Sequence, residues 1–329
     1  MCLKDIMRIV MVNDCAWVGR TIIKYSPPNI IYSHIKRSRS PISKTLGIFV
    51  KIVFSKGDVF HVHYGLQDHL LVKLLKDSPT ICHFHGSDLR TTLNSKWGWI
   101  VKENLKSADK VLVSVPDILP IARRYRQDAE YLPNPVDLEL FKPQIIREQS
   151  ELNVLWASDL SYTKGADKFI KAFSKFQKEN PNSILRVIKH GKNSISMLKL
   201  LKDLNVKHEI IEYQPHEKMV ELYGWADVVA VDLTLGYLHM TSLEAMACMR
   251  PVIQYINKEY YKEIPVPPVV SVLTPDDVIE ALNRLKDIKE RTLVAELQRD
   301  YVYKIHNPRT ITMRIVNIYR SLVEDWRAG

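Results

Sequence analysis

A lysine and a glycine stand at the predicted start of a helix in the second half of the chain. The stretch SYTKGADKFIKAF, residues 161–173, places Lys164 and Gly165 directly before an amphipathic pattern that begins near Ala166. Free amide N–H groups and the helix dipole both favour an anion at such a position. Because the preceding apolar run ends near Ser158 and is typical of a strand, this stretch predicts a phosphate site, although the glycine-rich P-loop pattern is absent.

A glutamate stands at the start of another predicted helix. The stretch SLEAMACMRPVI, residues 242–253, places Glu244 before apolar residues that are suited to burial. A buried carboxylate is costly unless it is paired, so Glu244 either helps to cap the helix or awaits a polar ligand. In the second interpretation it accepts hydrogen bonds from two ribose hydroxyls and is paired with a nucleotide instead of with protein. Thr241, Ser242 and the helix amides would then hold phosphate.

Polar residues also follow an apolar strand in the first half, in CHFHGSDLR, residues 82–90. His85 and Asp88 have the chemistry of acid–base or hydroxyl-binding groups, because sugar hydroxyls need both donors and acceptors. The simpler interpretation is a loop in which Ser87 or Asp88 caps a helix and His85 is a satisfied buried ring. That interpretation suits each residue alone, whereas the cluster favours a functional site.

A second pair of histidines ends the preceding strand, in HVHYG, residues 61–65. We expect one of His61 and His63 to face away from the site, because side chains alternate along a strand, and we assign His63 to the ligand. The histidine spacing does not predict a zinc site, and oxygen ligands for a hard cation are not grouped. No metal site is therefore predicted.

Short apolar runs alternate with longer helical patterns along the whole chain, which is typical of βαβ units and parallel sheets. The predicted strands are 8–12, 59–63, 80–85, 110–115, 131–132, 153–157, 185–189, 209–212, 228–232, 252–254 and 270–273. Two such sets within 329 residues predict an α/β fold with two doubly wound, Rossmann-like domains. Three prolines break the pattern within residues 132–153, so the linker lies there and the domains meet at residues 143 and 144.

Ligands of open parallel sheets bind beyond the carboxyl ends of the strands. The stretch HGKN, residues 190–193, follows one predicted strand of the second half. His190 and Gly191 are therefore candidates to approach a nucleotide base.

The composition narrows the class of protein. With 46% hydrophobic and 26% charged residues, the chain is typical of a soluble globular protein, and no apolar run reaches the roughly 18 residues of a membrane-spanning helix. Residues 1–12 predict a strand and not a signal peptide. The cysteines form no C-x-x-C pair, which favours reduced thiols in the cytoplasm; they are Cys2, Cys15, Cys82 and Cys248.

The formal charge of +10 favours anionic partners. The densest basic cluster, His34–Lys44, fits a phosphate-binding loop, a membrane-surface contact or a solvated loop, the last being the simplest. Because no motif with stacking aromatic residues accompanies this charge, nucleic acid is not an expected partner.

Five stretches together resemble the GT-B glycosyltransferases, specifically the large retaining family 4 that includes sucrose synthases and many mannosyl- and glucosyltransferases. They occur in family order within about residues 58–255 and read HFHGSDLR, YLPNPVDLELFKP, VLWASDLSYTKGADKFIKAF, HEKMVELYGWADVVAVD and SLEAMACMRPVI. The resemblance implies two Rossmann-like domains facing across a cleft. It also implies that the last helix returns to the first domain, giving domains of 1–143 plus 309–329 and of 144–308.

The same resemblance implies roles for individual residues. Lys164 would contact the diphosphate of a nucleotide-sugar donor, Glu244 its ribose, and His85 the transferred sugar near the reacting carbon. Asn134 would lie in the interdomain cleft, and Gly19 is the one glycine of the first-domain loop that family members use for the donor. Such enzymes usually retain the anomeric configuration and need no metal, the nucleotide-diphosphate sugar being a co-substrate instead of a cofactor.

Two positions depart from the family pattern. The family commonly has Arg five positions before the lysine and Glu eight positions before the helix glutamate, whereas this chain has Asp159 and Gly236. Loss of the arginine removes a charge from the diphosphate site, where a charged hydrogen bond contributes roughly 1.5–3 kcal/mol. The candidates to replace it are Arg20, Arg90 and His239.

The sequence therefore predicts a glycosyltransferase that moves a hexose from a nucleotide sugar to a glycan or lipid-linked acceptor. We expect it in the cytoplasm, with peripheral contact at the membrane face through the basic surface as an open alternative. Two other functions stay open. One is a degenerate, non-catalytic GT-B relative that acts as a binding or scaffold protein, and the other is a different GT-B enzyme such as a nucleotide-sugar epimerase.

Overall fold

The chain forms two compact units in the computed structural model, which describes residues 6–37, 41–148 and 152–329 and, for 41–46, the course of the backbone only. One unit contains the described residues up to Pro135 together with Asn307–Gly329, and the other those of Val136–His306. The boundary between the two units lies between Pro135 and Val136, earlier in the chain than the boundary after residue 143 that the sequence predicted. The reason is that Val136 and Phe141 are buried in the hydrophobic core of the second unit.

The first unit is built on a parallel sheet whose strand order is β2-β1-β3-β4-β5-β6. Its strands are β1 Met7–Val12, β2 Ile30–Ile35, β3 Val59–His63, β4 Thr80–Phe84, β5 Lys110–Val113 and β6 Glu130–Tyr131. Its helices before the linker are α1 Val18–Tyr25, α2 Pro41–Phe54, α3 Gln67–Leu75, α4 Ser87–Arg90, α5 Gly98–Ser107 and α6 Leu119–Arg123.

The second unit repeats this plan with the order β12-β11-β10-β7-β8-β9, again parallel. Its strands are β7 Asn153–Trp156, β8 Ile184–Lys189, β9 His208–Glu212, β10 Val228–Ala230, β11 Val252–Gln254 and β12 Val270–Ser271. Its helices are α7 Ala166–Glu179, α8 Ser194–Asp203, α9 Met219–Trp225, α10 Met240–Ala247, α11 Pro275–Arg284 and α12 Ile288–Ile305. The predicted α/β class with two doubly wound sheets is confirmed.

Helices cover both faces of each sheet. In the second unit α7 buries Phe169, Phe173 and Phe176 against one face, while α9, α10 and α12 cover the other. In the first unit α2 and α3 pack on one face, and α1 packs on the opposite face together with the terminal helix α13 Pro308–Ala328. The long α13 therefore completes the core of the unit in which the chain began.

The strands agree with the predicted ones, except that the sequence did not predict β2 and placed several strand ends too late. β2 is an edge strand that pairs with β1 alone, and its sequence IIYSHI mixes polar with apolar residues. It leads into the basic cluster His34–Lys44, of which residues 38–40 lie outside the described residues. The predicted continuation of β10 to Asp232 was wrong, because the ladder stops at Ala230 and the chain turns into a loop.

Neutral imidazoles are built into the core of the first unit. His61 and His63 on β3 and His83 on β4 are fully buried on one face of the sheet, with His63 opposite His83 in the register. The expectation that His61 or His63 faces away was wrong, because residues two apart in a strand point to the same side. The His61 and His63 rings stack with centroids 4.6 Å apart, and His61 Nδ1 lies 2.7 Å from the Tyr319 hydroxyl of α13.

No helix in the described part of the chain combines the length and the apolar character that a membrane span requires. The three described cysteines, Cys15, Cys82 and Cys248, are free thiols. Burial raises the pKa of Cys15 and of Cys248 to about 12, so both stay protonated at neutral pH.

The buried imidazoles predict acid-sensitive opening of the first unit. Burial lowers the pKa of His83 to about 3 and holds the pKa values of His61 and His63 well below 6.5. Below about pH 6.5 the unfolded chain binds protons that the folded chain excludes, so the free energy of unfolding falls by up to about 1.4 kcal/mol per pH unit for each histidine. Hydrogen exchange of β3 and β4, corrected for the intrinsic rate, measures this loss between pH 7.5 and 5.5.

Two variants show whether the imidazoles cause that loss. His83→Gln removes one of the buried groups, and its opening free energy should fall less steeply with acidification than that of the wild type. His190→Gln is the matched control, because the His190 side chain is 58% exposed. Equal slopes in all three proteins would contradict the assignment.

Candidate functional site

A fully buried carboxylate lies at the centre of the charged groups of the second unit. Asp232 follows β10, and its Oδ2 accepts hydrogen bonds from Lys164 Nζ at 3.0 Å and from His239 Nε2 at 2.8 Å. Lys164 Nζ and His239 Nε2 are themselves 3.3 Å apart. The Asp232 side chain has no exposed surface, whereas those of Lys164 and His239 are 16% and 15% exposed. The two donors therefore lie between the carboxylate and solvent.

The second carboxylate oxygen fixes the loop that follows β10. Asp232 Oδ1 accepts the backbone N–H groups of Thr234 at 2.6 Å and Leu235 at 2.9 Å. Burial alone raises the pKa of Asp232, but the hydrogen bond and charge of His239 and the charge of Lys164 outweigh burial and hold that pKa well below its usual range. Asp232 is thus ionised at every physiological pH.

The loops after β7 and β10 hold Lys164 in place because these strands are neighbours in the sheet. The Leu233 N–H donates to the Lys164 carbonyl, and Gly165 takes a left-handed φ of 73° immediately before α7. A Cβ on Gly165 would approach Leu233 to 3.0 Å. The predicted order of Lys164, Gly165 and a helix from Ala166 is therefore confirmed. In the first turn of α7 the Ala166 N–H donates to the Ser161 carbonyl, so the N–H groups of Asp167 and Lys168 are those that could bind a ligand.

Glu244 is paired with protein side chains, so the prediction that it has no protein partner was wrong, whereas its contact with a ribose stays a prediction. It lies within α10 and is 2% exposed. Its Oε1 lies 2.7 Å from His216 Nε2, and its Oε2 accepts a hydrogen bond from the Tyr223 hydroxyl at 3.1 Å. Burial, followed by the Glu244 charge, raises the pKa of Tyr223 well above its usual value. Each carboxylate oxygen keeps one further lone pair for a ligand donor.

The start of α10 differs from the prediction in one respect. The helix begins at Met240, so Thr241 and Ser242 contribute N–H groups of its first turn. The Ser242 hydroxyl, however, is fully buried and donates to Gln254 Oε1 at 2.5 Å, so it is not available to donate to a phosphate. Thr241 is only partly buried.

The loops after β7 and β8 are joined at the surface. His190 Nε2 lies 3.5 Å from Asp159 Oδ1, and the Leu160 N–H donates to the His190 carbonyl. Gly191 has a φ of 110°, and a Cβ there would approach Leu160 N to 2.8 Å. Ser158 lies partly buried beside Asp159. An acidic residue with a histidine partner thus occupies the position at which the family commonly has arginine.

His85 in the first unit is held by a buried neighbour. His63 Nδ1 lies 2.8 Å from His85 Nε2, and their rings stack at 5.0 Å. His63 is fully buried, so it cannot touch a ligand directly as predicted, whereas His85 keeps exposed surface. Burial and the neighbouring imidazoles lower the pKa of His85 well below 6.5. His85 is therefore neutral, and a neutral imidazole can both donate and accept a hydrogen bond.

The Asp88 carboxylate has a structural role in its loop. It is 1% exposed, and its carboxylate accepts the backbone N–H groups of Gly65, His85, Gly86 and Leu89. The predicted role in acid–base chemistry or hydroxyl binding is therefore wrong for this carboxylate, which shapes the loop that presents His85. Ser87, the first residue of α4, is exposed.

The other predicted site residues belong to the first unit, whereas Lys164 belongs to the second. Gly19 donates its N–H to Asp14 Oδ1 at 2.8 Å, so this amide already has an acceptor. Asn134 is buried just after β6. Arg90, a candidate for the missing arginine, is held by both oxygens of Asp117.

Three imidazoles meet the distance condition for a metal ion. Ring nitrogens of His61, His63 and His83 lie within 4.8 Å of one another. The His61 and His63 rings, however, are inclined by only 13° with centroids 4.6 Å apart, so their lone pairs lie in two nearly parallel, separate planes and are poorly placed to meet at one ion. The geometry favours a stack of neutral rings, and the expectation of metal-free chemistry stays a prediction.

Sequence reasoning missed three residues of the second unit: Asp232, His216 and Tyr223. Asp232 ends the apolar run DVVAVD, so the rule that functional residues follow strands could have identified it. His216 and Tyr223 approach Glu244 from a separate helical segment, and no local spacing indicates that contact. His239, predicted as a substitute for the missing arginine, is brought together with Lys164.

Comparisons with known proteins identify the family of the chain and its fold. Residues 139–302 match the sequence profile of the family described as Glycosyl transferases group 1. The chain is 21% identical over 301 residues to the N-acetyl-alpha-D-glucosaminyl L-malate synthase of Bacillus anthracis, an alignment that covers 83% of this chain and 77% of the relative.

Solved structures show the same fold over almost the whole chain. The sucrose-phosphate synthase of Thermosynechococcus elongatus superposes with a TM-score of 0.74 at 17% identity, covering 97% of this chain and all of that one (100%). Anabaena HepE in complex with UDP-glucose superposes with a TM-score of 0.73 at 14% identity, covering 96% and 100%. The chain belongs to the group 1 glycosyltransferases and has the GT-B fold.

Proposed function

We propose that this glycosyltransferase takes its sugar from a nucleotide diphosphate sugar bound at the carboxyl edge of the sheet in the second unit. The observation that carries this proposal is the pair formed by Lys164 and His239 on the buried carboxylate of Asp232. Lys164 precedes α7 and His239 is the N-cap of α10, so each stands at a helix N-terminus. Two helix N-termini and a lysine on one site favour a diphosphate.

The charge at this site explains why the diphosphate that it would hold is the leaving group of the reaction. When the bond between sugar and phosphate breaks, negative charge grows on the diphosphate. Lys164, His239 and the first-turn amides of α7 and α10 are fixed before the reaction, so they stabilise this charge without reorganising. Asp232 lies behind Lys164 and His239 and holds both side chains in position. The enzyme would therefore lower the barrier by fixed electrostatics, with no metal needed for the leaving group.

Glu244 is the proposed partner of the ribose. It lies five residues after His239 on the same short helix, a rise of roughly 7.5 Å along the axis. That separation suits one nucleoside diphosphate, with its phosphates at the start of α10 and its ribose further along. His216 and Tyr223 hold the carboxylate so that its remaining lone pairs keep a fixed direction.

The remaining parts of the proposal concern sugar, stereochemistry and location. HepE was solved with UDP-glucose, and the Bacillus anthracis relative is named for an N-acetylglucosaminyl group and malate, so UDP-linked hexoses are the first donors to test. His85 would contact the transferred sugar. We further propose retention of the anomeric configuration, activity in the presence of EDTA and a cytoplasmic location; the coupling constant of the anomeric proton in the product decides the stereochemistry.

A second candidate function is supported by Asp159. Its carboxylate, paired with His190, stands where the family commonly has a cation, and Gly236 replaces a family glutamate. A degenerate relative would bind nucleotide without using it. Release of nucleoside diphosphate from a labelled donor, with and without acceptor, separates this function from catalysis.

Replacing Lys164 should weaken donor binding. Lys164→Ala removes a charge-assisted hydrogen bond of roughly 1.5–3 kcal/mol, so the Kd for a nucleoside diphosphate should rise about 10- to 100-fold. Isothermal titration with UDP, GDP and ADP measures this effect. Lys175→Ala is the matched control, because Lys175 is exposed and lies on the same helix, more than two turns from its N-terminus.

If the wild type binds none of the three nucleotides, the proposal fails. If Lys164→Ala and Lys175→Ala bind the nucleotides equally well, the nucleotide does not bind at this site.

Replacing Glu244 should reduce recognition of the ribose. The wild type should bind UDP about tenfold more tightly than 2′-deoxy-UDP, and Glu244→Gln should bring the two affinities close together, since an amide is a weaker acceptor than a carboxylate. Tyr223→Phe deletes the hydrogen bond to Glu244 but keeps the carboxylate, so it should preserve the preference. A preference unchanged in Glu244→Gln would restrict Glu244 to a structural role.

A further inference from the structure

A small polar cavity lies in the first unit, where the loops after β1, β2 and β3 meet. Its volume is about 270 Å³, and its lining residues are Asn13, Asp14, Arg20, Lys36, Arg37 and Tyr64. The carboxyl ends of parallel strands are where ligands of this fold class bind. The cavity is therefore in a suitable place for a substrate and is separate from the Lys164 site in the second unit.

Positive charge exceeds negative charge around this cavity. Among the six lining residues that the structure describes, three are cationic and Asp14 is the single acid. Arg37 is paired with the buried carboxylate of Asp68, which lies behind it. Arg20 Nε lies 3.8 Å from Asp14 Oδ2 and is half exposed, and Lys36 is exposed. Counting Asp68, three positive charges face two negative ones, so one anionic group would balance the site.

A buried acceptor in the wall of the cavity has no hydrogen-bond partner in the part of the chain that the structure describes. Asn13 is 6% exposed, and its Nδ2 donates to Asp68 Oδ2 at 2.6 Å and to the His63 carbonyl at 3.4 Å. Because the amide nitrogen must face the carboxylate, the orientation of the amide is fixed. Its Oδ1 accepts no hydrogen bond within the described residues. A buried unsatisfied oxygen costs about 1–3 kcal/mol, and a ligand hydroxyl would satisfy it.

The cavity adjoins His85, which is partly buried. The ring of Tyr64, which lines the cavity, lies 5.3 Å from the ring of His85. Asn13 and Tyr64 both have left-handed backbones, with φ of 65° and 70°, a conformation that costs free energy in non-glycine residues and is often found at functional sites. A ligand anchored in the cavity would thus extend towards His85 past one aromatic ring.

We propose that this cavity binds the anionic group of the acceptor, so that the acceptor is a hydroxylated molecule carrying a phosphate or a carboxylate. Arg20, Lys36 and Arg37 hold the anion, and Asn13 Oδ1 accepts from a hydroxyl of the same molecule. This inference rests on the proposed function. In the transfer, the acceptor oxygen bonds to the anomeric carbon as the bond from that carbon to the diphosphate oxygen breaks. The electron pair of that bond and the hydroxyl proton both pass to the diphosphate.

Matched pairs of acceptors test this inference. Glycerol 3-phosphate is compared with glycerol, glucose 6-phosphate with glucose, and phosphatidylglycerol vesicles with phosphatidylcholine vesicles, by release of nucleoside diphosphate from the donor. At least one anionic member should stimulate release when its neutral counterpart does not. The soluble and vesicle arms show whether the anion belongs to a free molecule or to a lipid headgroup.

Variants of the cavity residues then test where the anionic group of the acceptor binds. The double variant Arg20→Gln, Lys36→Gln should raise the KM for the anionic acceptor at least 30-fold and leave the Kd for the nucleoside diphosphate unchanged. Lys24→Gln is the matched control, because Lys24 is an exposed cation on α1 that does not line the cavity. It should behave as the wild type.

Binding without turnover gives a second readout. With the donor site filled by saturating nucleoside diphosphate, inorganic phosphate, glycerol 3-phosphate and tartrate are titrated by calorimetry. The wild type should bind at least one of them, and the double variant should lose this binding. Absence of binding by the wild type overturns the inference, and so does loss of nucleotide affinity in the double variant, which would assign the cavity to the donor. Failure of the wild type to bind any nucleotide instead overturns the proposed function.

Discussion

The organisation of the second unit depends on one buried carboxylate. Asp232 has no exposed surface and could not remain ionised there without its partners, since an isolated buried charge is strongly unfavourable. One of its oxygens orders the loop after β10, and the other positions Lys164 and His239. A single group thus joins two strand ends and two helix N-termini. Lys164 and His239 are the side chains from which we derive the donor site.

The two units use ionisable groups in opposite ways. The second unit keeps charges beneath its surface by pairing them, as with Asp232 and Lys164. The first unit keeps its buried imidazoles neutral, in a stack that runs from Tyr319 to His85 and leaves only His85 with exposed surface. A charged site is suited to a diphosphate leaving group, whereas a neutral imidazole, which both donates and accepts hydrogen bonds, is suited to sugar hydroxyls. This contrast fits a division into donor and acceptor units.

The sequence predicted the repeated elements better than their tertiary partners. The sheets, β3 and β11, and the position of Lys164 before α7 follow from local patterns, and the structure confirms them. The sequence did not predict the edge strand β2. A strand at the edge of a sheet is only partly buried, so its sequence contains no continuous apolar run. The partners of Glu244 could not be predicted, since His216 and Tyr223 come from a separate helical segment. Asp88 shows the same limit, because only the folded loop reveals that its oxygens accept backbone amides.

The central claim is that the Lys164, Asp232 and His239 group holds the diphosphate of the donor. A crystal structure of the protein with a bound nucleoside diphosphate tests it most directly. We expect phosphate oxygens within hydrogen-bond distance of Lys164 Nζ and of the first-turn amides of α7 or α10, with Asp232 still hydrogen-bonded to the lysine. A nucleotide bound elsewhere, with Lys164 contacting only Asp232 and His239 as it does without ligand, would contradict the account.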